Sequence, residues 1–128
     1  MTAEITDGVK VSAESIYESQ YSDPANRHFV FAYKIIIQNL SDYRIQLLSR
    51  QWQIFDSSGM RRIVEGEGVV GLQPIIEPGD CHEYVSACNL STDIGSMVGF
   101  YEMKRIVDDE HFRVSIPKFY LMATFRLN

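Results

Sequence analysis

Five large apolar side chains at every second position, Phe29, Phe31, Tyr33, Ile35 and Ile37, constrain this chain more than any other feature in it. Successive side chains of an extended backbone point to opposite faces, so this spacing lays one continuous apolar stripe along a strand over residues 28–40. The intervening Val30, Ala32, Lys34, Ile36 and Gln38 are mixed in character, as in an antiparallel strand with one face in a core and the other partly wet. Nowhere do apolar residues recur at i, i+3, i+4 and i+7 over a helical length, so no helix longer than a turn is expected. A chain with this pattern has to be built from sheets.

The rest of the sequence supplies partners for that strand. Val9, Val11, Ala13, Ser15 and Tyr17 alternate with polar neighbours, and Asp23-Pro24-Ala25-Asn26 provides turn chemistry between the two runs. Residues 43–56 alternate again, end at Asp56-Ser57-Ser58-Gly59, and are followed by a shorter partner over 60–64. Residues 65–80 lose the alternation and hold Gly66, Gly68, Gly71, Pro74, Pro78 and Gly79, which predicts a long ordered loop. Strand character resumes over 81–90 and 96–107. Asp108-Asp109-Glu110 reads as a turn, Phe112, Val114 and Ile116 alternate before Pro117, and residues 119–125 add a short last piece. Seven or more antiparallel strands at roughly 8–12-residue spacing predict an all-β Greek-key sandwich of immunoglobulin or fibronectin type III kind, with a small barrel as the alternative. The whole of 1–128 reads as one domain, with residues 1–8 as a flexible N-terminal tail.

Charge and composition narrow the function. The formal net charge is −5, a field that repels polyanions and disfavours broad nucleic-acid or anionic-membrane binding. No apolar run reaches the roughly 18 residues that a membrane span needs, and Met1-Thr2-Ala3-Glu4 carries no basic segment of an export signal, so a cytoplasmic protein without membrane insertion is expected. Cys81 and Cys88 lie an odd number of positions apart in one strand and face opposite ways, so they do not pair with each other.

Gly66-Glu67-Gly68-Val69-Val70-Gly71 spells the GxGxxG pattern of dinucleotide sites. Pro74 and Pro78 forbid the helix on which that motif depends. Three glycines can still turn successive N–H groups inward as an anion-binding nest, with Arg50, Arg61 and Arg62 supplying charge against the repulsion of Glu65 and Glu67. The readings left open are a structural loop, a phosphate or nucleotide site on Gly66, Gly68, Gly71, Arg50, Arg61 and Arg62, and a protein-contact loop. Asp108-Asp109-Glu110-His111, with Glu102 nearby, offers metal-ligand types, but adjacent residues on a turn rarely converge, and a solvated hairpin tip accounts for them. His82 and Cys81 are strand neighbours and point apart, and His28 opens a strand at the surface. Trp52 is expected in the core; Tyr17, Tyr84 and Tyr101 fit either core or the rim of a binding surface. No nucleophile, acid–base pair or metal set emerges, so a non-enzymatic binding module with no cofactor and no metal is expected, with a protein partner first and a nucleotide or pyrophosphate ligand second. An exposed sheet edge could support a homodimer.

Several stretches resemble the ApaG (CorD) family: Phe29-Val30-Phe31-Ala32-Tyr33 with Ile37-Gln38-Asn39-Leu40, Arg50-Gln51-Trp52-Gln53-Ile54, Val64 through Gly71 with Gln73-Pro74, Ile76-Glu77-Pro78-Gly79, Glu83-Tyr84-Val85-Ser86, Gly95-Ser96-Met97-Val98-Gly99-Phe100-Tyr101-Glu102-Met103 and Pro117-Lys118-Phe119. The resemblance implies a fibronectin type III-like sandwich in a bacterial cytoplasm with no established enzymatic activity. It also implies an association with cobalt resistance and magnesium efflux, another with diadenosine tetraphosphate metabolism, and a glycine loop proposed to hold pyrophosphate. Related domains in F-box proteins and a polymerase-delta-interacting protein imply protein binding. Two departures stand out: Tyr84-Val85-Ser86-Ala87 where the family often has Tyr-Thr-Ser-Gly, and a Leu127-Asn128 end where it often has His.

Overall fold

A computed structural model describes residues 1–124 of the chain. The Leu127-Asn128 end and Phe125 lie outside the described residues. Among the described residues nine antiparallel strands form two sheets. The first holds β1 (Thr2–Thr6), β2 (Val9–Tyr17), β3 (Phe29–Asn39) and β7 (Cys81–Leu90), in the order β1-β2-β3-β7. The second holds β4 (Ile45–Asp56), β5 (Arg61–Glu67), β8 (Ile94–Arg105) and β9 (His111–Met122), in the order β5-β4-β8-β9, with the two-residue β6 (Ile75–Ile76) paired to the start of β4. Two single-turn 3₁₀ helices, Ser19–Tyr21 and Pro24–Asn26, lie between β2 and β3.

The stripe on β3 does what its spacing dictates. Phe29, Phe31, Tyr33, Ile35 and Ile37 are all buried, facing Trp52, Tyr101, Met103, Ile116 and Leu121 of the opposite sheet. Each such side chain contributes roughly 1.5–3 kcal/mol of transfer free energy, so this interface is the main source of stability. Trp52 sits at its centre, with ring centroids 5.4 Å from Tyr33 and 5.8 Å from Phe119, both edge-on.

Two bulges change which positions face inward. On β4 the register shifts between Leu47 and Ser49, so the buried set passes from Ile45 and Leu47 to Trp52 and Ile54. On β9, Pro117 and Lys118 together oppose Val98, and the buried set passes from Val114 and Ile116 to Phe119 and Leu121. Proline has no N–H to give to a ladder, and a bulge at the sheet edge is where that is tolerated. The expected break at Pro117 is therefore corrected to one continuous strand.

Two other expectations change. Residues 1–8, read as a tail, form β1 and its turn: Thr2 pairs Ala13 and Thr6 pairs Val9. Residues 65–80 are shorter as a loop than expected, because β5 runs on to Glu67 and β6 adds a second anchor. On the β1 side the sheets are tied directly, with Ser15 Oγ donating to the Tyr120 carbonyl at 2.7 Å and the Ser115 N–H to Thr6 Oγ1 at 3.3 Å.

Two polar side chains hold the ends. Fully buried Asn39 donates to the carbonyls of Tyr43 (2.7 Å) and Ile76 (3.0 Å) and accepts from the Ser41 N–H and hydroxyl. At the other end Asp56 accepts from the Ser91 N–H (2.7 Å), Ser91 Oγ (2.6 Å), Thr92 Oγ1 and the Ser58 N–H, joining the β4–β5 and β7–β8 turns.

Candidate functional site

The bulge on β4 determines what the glycine segment becomes. By reversing the alternation it turns Arg50 toward the inner face, where Trp52 and Ile54 also point, and leaves the Leu48 carbonyl facing the segment that follows β5. That carbonyl accepts from the Gly68 N–H at 2.8 Å and from Gln73 Nε2 at 2.9 Å. The Leu47 N–H donates to Pro74 O at 3.1 Å, and Gln46 Nε2 to Gln73 O at 3.2 Å. Residues 68–76 are thereby laced to β4 from both ends.

Within that segment the Val69 N–H donates to Leu72 O (2.8 Å) and the Leu72 N–H to Val69 O (3.0 Å). Val70 and Gly71, at φ 48° and 77°, form a two-residue turn with both central residues left-handed. Gly71 takes that conformation freely. Val70, a β-branched residue, holds it at a cost of order 1–3 kcal/mol, and its side chain is 62% exposed. Leu72 at 57% and Ile75 at 49% exposure extend an apolar tip around it.

The three glycines have separate reasons to be glycine. A Cβ on Gly66 would lie 2.8 Å from Arg50 Nη1, so Gly66 makes room for the inward guanidinium. A Cβ on Gly68 would collide with the Leu72 carbonyl, and its φ of 63° also disfavours a side chain. Gly71 has open space around it and answers to φ alone.

The structure brings some of the sequence-selected residues together and separates others. Arg50 sits on Gly66 and donates through Nη1 to the carbonyls of Glu67 (3.1 Å) and Gly68 (2.9 Å). Arg61 and Arg62, adjacent in β5, face opposite ways: Arg61 lies over the Phe55 ring at 5.4 Å, while Arg62 crosses to the Asn89 carbonyl at 2.7 Å. The Gly68 and Val69 amides are committed to carbonyls, and Arg50 meets oxygen atoms rather than inward N–H groups. The segment thus presents apolar side chains outward.

Elsewhere the side chains are accounted for structurally. Arg105 pairs with Asp108 and Glu110, and Lys104 with Asp109 at 3.2 Å, which occupies the acidic hairpin tip. Among the described residues no three His, Cys, Asp or Glu side chains form a metal-ligand set. Cys81 is exposed and Cys88 buried, both free, and burial pushes the Cys88 thiol up against the opposing pull of Arg62. Tyr84 and Tyr101 resolve to core, their hydroxyls sharing a 2.5 Å hydrogen bond, and burial raises both phenols. Sequence reasoning missed the Leu48 bulge and the exposed Val70, Leu72 and Ile75. The change of phase from Ile45 and Leu47 to Trp52 and Ile54 was the available signal.

A two-sheet fibronectin type III-like sandwich that carries a laced apolar turn beside an inward arginine defines a small all-β module. Comparison with known proteins narrows it. The family model described as the ApaG domain matches residues 19–105. Protein ApaG of Brucella abortus is 42% identical over 121 residues, covering 94% of this chain and 92% of the relative. Protein ApaG of Sinorhizobium fredii is 41% identical over 117 residues, covering 91% and 89%. The crystal structure of an ApaA protein from Bordetella pertussis superposes with a TM-score of 0.88 at 38% identity, covering 91% of this chain and 94% of that one. The chain belongs to the ApaG family.

Proposed function

We propose that this chain is a non-enzymatic, cytoplasmic binding module that docks a partner protein through the apolar tip formed by Val70, Leu72 and Ile75. The observation that carries the reading is Val70: a β-branched residue held at positive φ by the surrounding hydrogen bonds, with its side chain turned to solvent. Backbone held in a costly conformation at a surface tip is retained where the presentation of that side chain has a use. Exposed aliphatic side chains on a pre-formed turn suit a protein surface, because little ordering entropy is lost on docking. The association with cobalt and magnesium homeostasis that the family resemblance implies would then act through the partner.

Photo-crosslinking from position 72 in cells tests it. One discrete adduct is expected, lost in Val70→Asp and in Ile75→Glu while the melting temperature is retained. If instead pyrophosphate or diadenosine tetraphosphate raises the melting temperature saturably and the adduct persists in both variants, the docking reading fails and the phosphate reading replaces it.

A further inference from the structure

The sandwich is asymmetric along its two long sides. Where β9 lies against β1 and β2 the sheets are stitched together; on the opposite side β5 and β7 are the end strands of their sheets and face each other. Between them opens a cleft of about 240 Å³. Tyr33, Ser86 and Cys88 line it from the first sheet, and Arg50, Trp52, Ile54, Arg62, Val64 and Met97 from the second.

Trp52 is the informative member. It is 2% exposed, and its indole Nε1–H is buried without a hydrogen-bond partner, the sole side-chain atom of that kind among the described residues. The ring cannot turn to find one, since Tyr33 and Phe119 pack edge-on against it at interplanar angles of 70° and 83°. An indole N–H can only donate, so what completes it must bring an acceptor. The charge around it points the same way: the cleft is lined by two guanidinium groups and, among the described residues, by no carboxylate, in a chain whose net charge is −5. A volume below the roughly 300 Å³ of ordinary ligand pockets limits the occupant to a small molecule.

We propose that this cleft binds a small organic anion: as Arg62 swings off Asn89 O, one oxygen of the anion's carboxylate or phosphoryl group reaches the Trp52 N–H, which is buried while that bond is made, Arg62 supplies countercharge at the mouth, and the apolar body lies on Ile54, Val64 and Met97. Arg62, which spans the opening to Asn89 O, serves as both clasp and ligand. The site is separate from the Val70 tip and stands or falls independently of the docking reading.

The chain contains a single tryptophan, so a ¹⁵N-correlated proton spectrum holds one indole resonance and reports this donor directly. The probes are benzoate, phenyl phosphate and the neutral isostere benzamide. One of the two anions is expected to move the indole resonance saturably, with benzamide weaker by about tenfold or more, since a charged pair is worth at least about one decade. Arg62→Met should weaken the anion to a similar degree; because it also removes the bond to Asn89 O, its own melting temperature without ligand, lower by a few degrees, is the baseline for the comparison. Trp52→Phe should remove the rise in melting temperature that the anion produces. Preference for benzoate assigns a carboxylate ligand, and preference for phenyl phosphate a phosphate. An indole proton that none of the probes moves, that responds equally to benzamide, or that cross-relaxes with a long-lived water which no anion displaces, overturns the proposal.

Discussion

Asp56 shows how much one side chain can settle. Burial pushes its carboxyl up, but donation from the Ser91 and Thr92 hydroxyls and from the Ser91 and Ser58 amides outweighs that and holds it well below the usual carboxylate range. A depressed folded-state pKa means that the ionised form stabilises the fold above the unfolded value near 4, and that this contribution drains away as pH falls from there toward the folded value. Asp56→Asn should therefore lower the urea-unfolding free energy by about 2 kcal/mol at pH 7. The gap to wild type should narrow steadily below about pH 4, and a gap that stays constant from pH 7 to pH 2.5 would refute the assignment. At this scale the sequence was readable where parity decides, as in the opposite facing of Cys81 and Cys88, and where residue type does, as in the core place of Trp52. Arg50 was not readable in that way. Its inward turn depends on the extra residue Leu48, two positions before it, and no local preference announces which residue of a strand will bulge.

At the scale of elements, the three glycines make a graded test. Gly71→Ala meets open space and an unfavourable φ, which costs about 1–2 kcal/mol. Gly68→Ala meets the Leu72 backbone as well, and should cost about 3 kcal/mol or more, or prevent folding. Gly66→Ala should fold but displace Arg50 from the Glu67 and Gly68 carbonyls, loosening the turn; amide chemical shifts at 67–72 would report it. Equal destabilisation at all three positions would contradict the separate roles assigned to them. For the same reason a bulky residue at Gly68 is a poor probe of phosphate binding, since it removes the turn along with any ligand. Strand identities were legible from alternation, but the merging of the last two pieces into β9 was not. A proline reads as a stop, and only the edge position and the two-against-one pairing with Val98 make it a bulge instead.

For the whole molecule, the fold class was legible because period-2 patterning over several segments excludes helices and leaves few ways to bury the β3 stripe. The apparent tail was missed for the converse reason: Thr2–Thr6 is mostly exposed, so nothing in its polarity marks it as a strand, and its place comes from backbone pairing with β2. Deleting residues 1–7 should uncover the β2 edge and remove the Thr6 acceptor of Ser115, lowering the melting temperature by several degrees. Size-exclusion chromatography should show new self-association through the bared edge. An unchanged melting temperature would mean that β1 adds nothing to the sandwich.

The stitched side and the open side of this sandwich amount to the spine and fore-edge of a book. β5 is exposed over nearly all its length on both faces, whereas β9 is anchored by Val114, Ile116, Phe119 and Leu121 in the core. Thermal opening should then swing about the spine, so that deuterium enters β5 amides long before those of β8 and β9, through excursions far smaller than unfolding. Access to the interior becomes a matter of how often the covers part, and Arg62, reaching across to Asn89, is the clasp that sets that frequency.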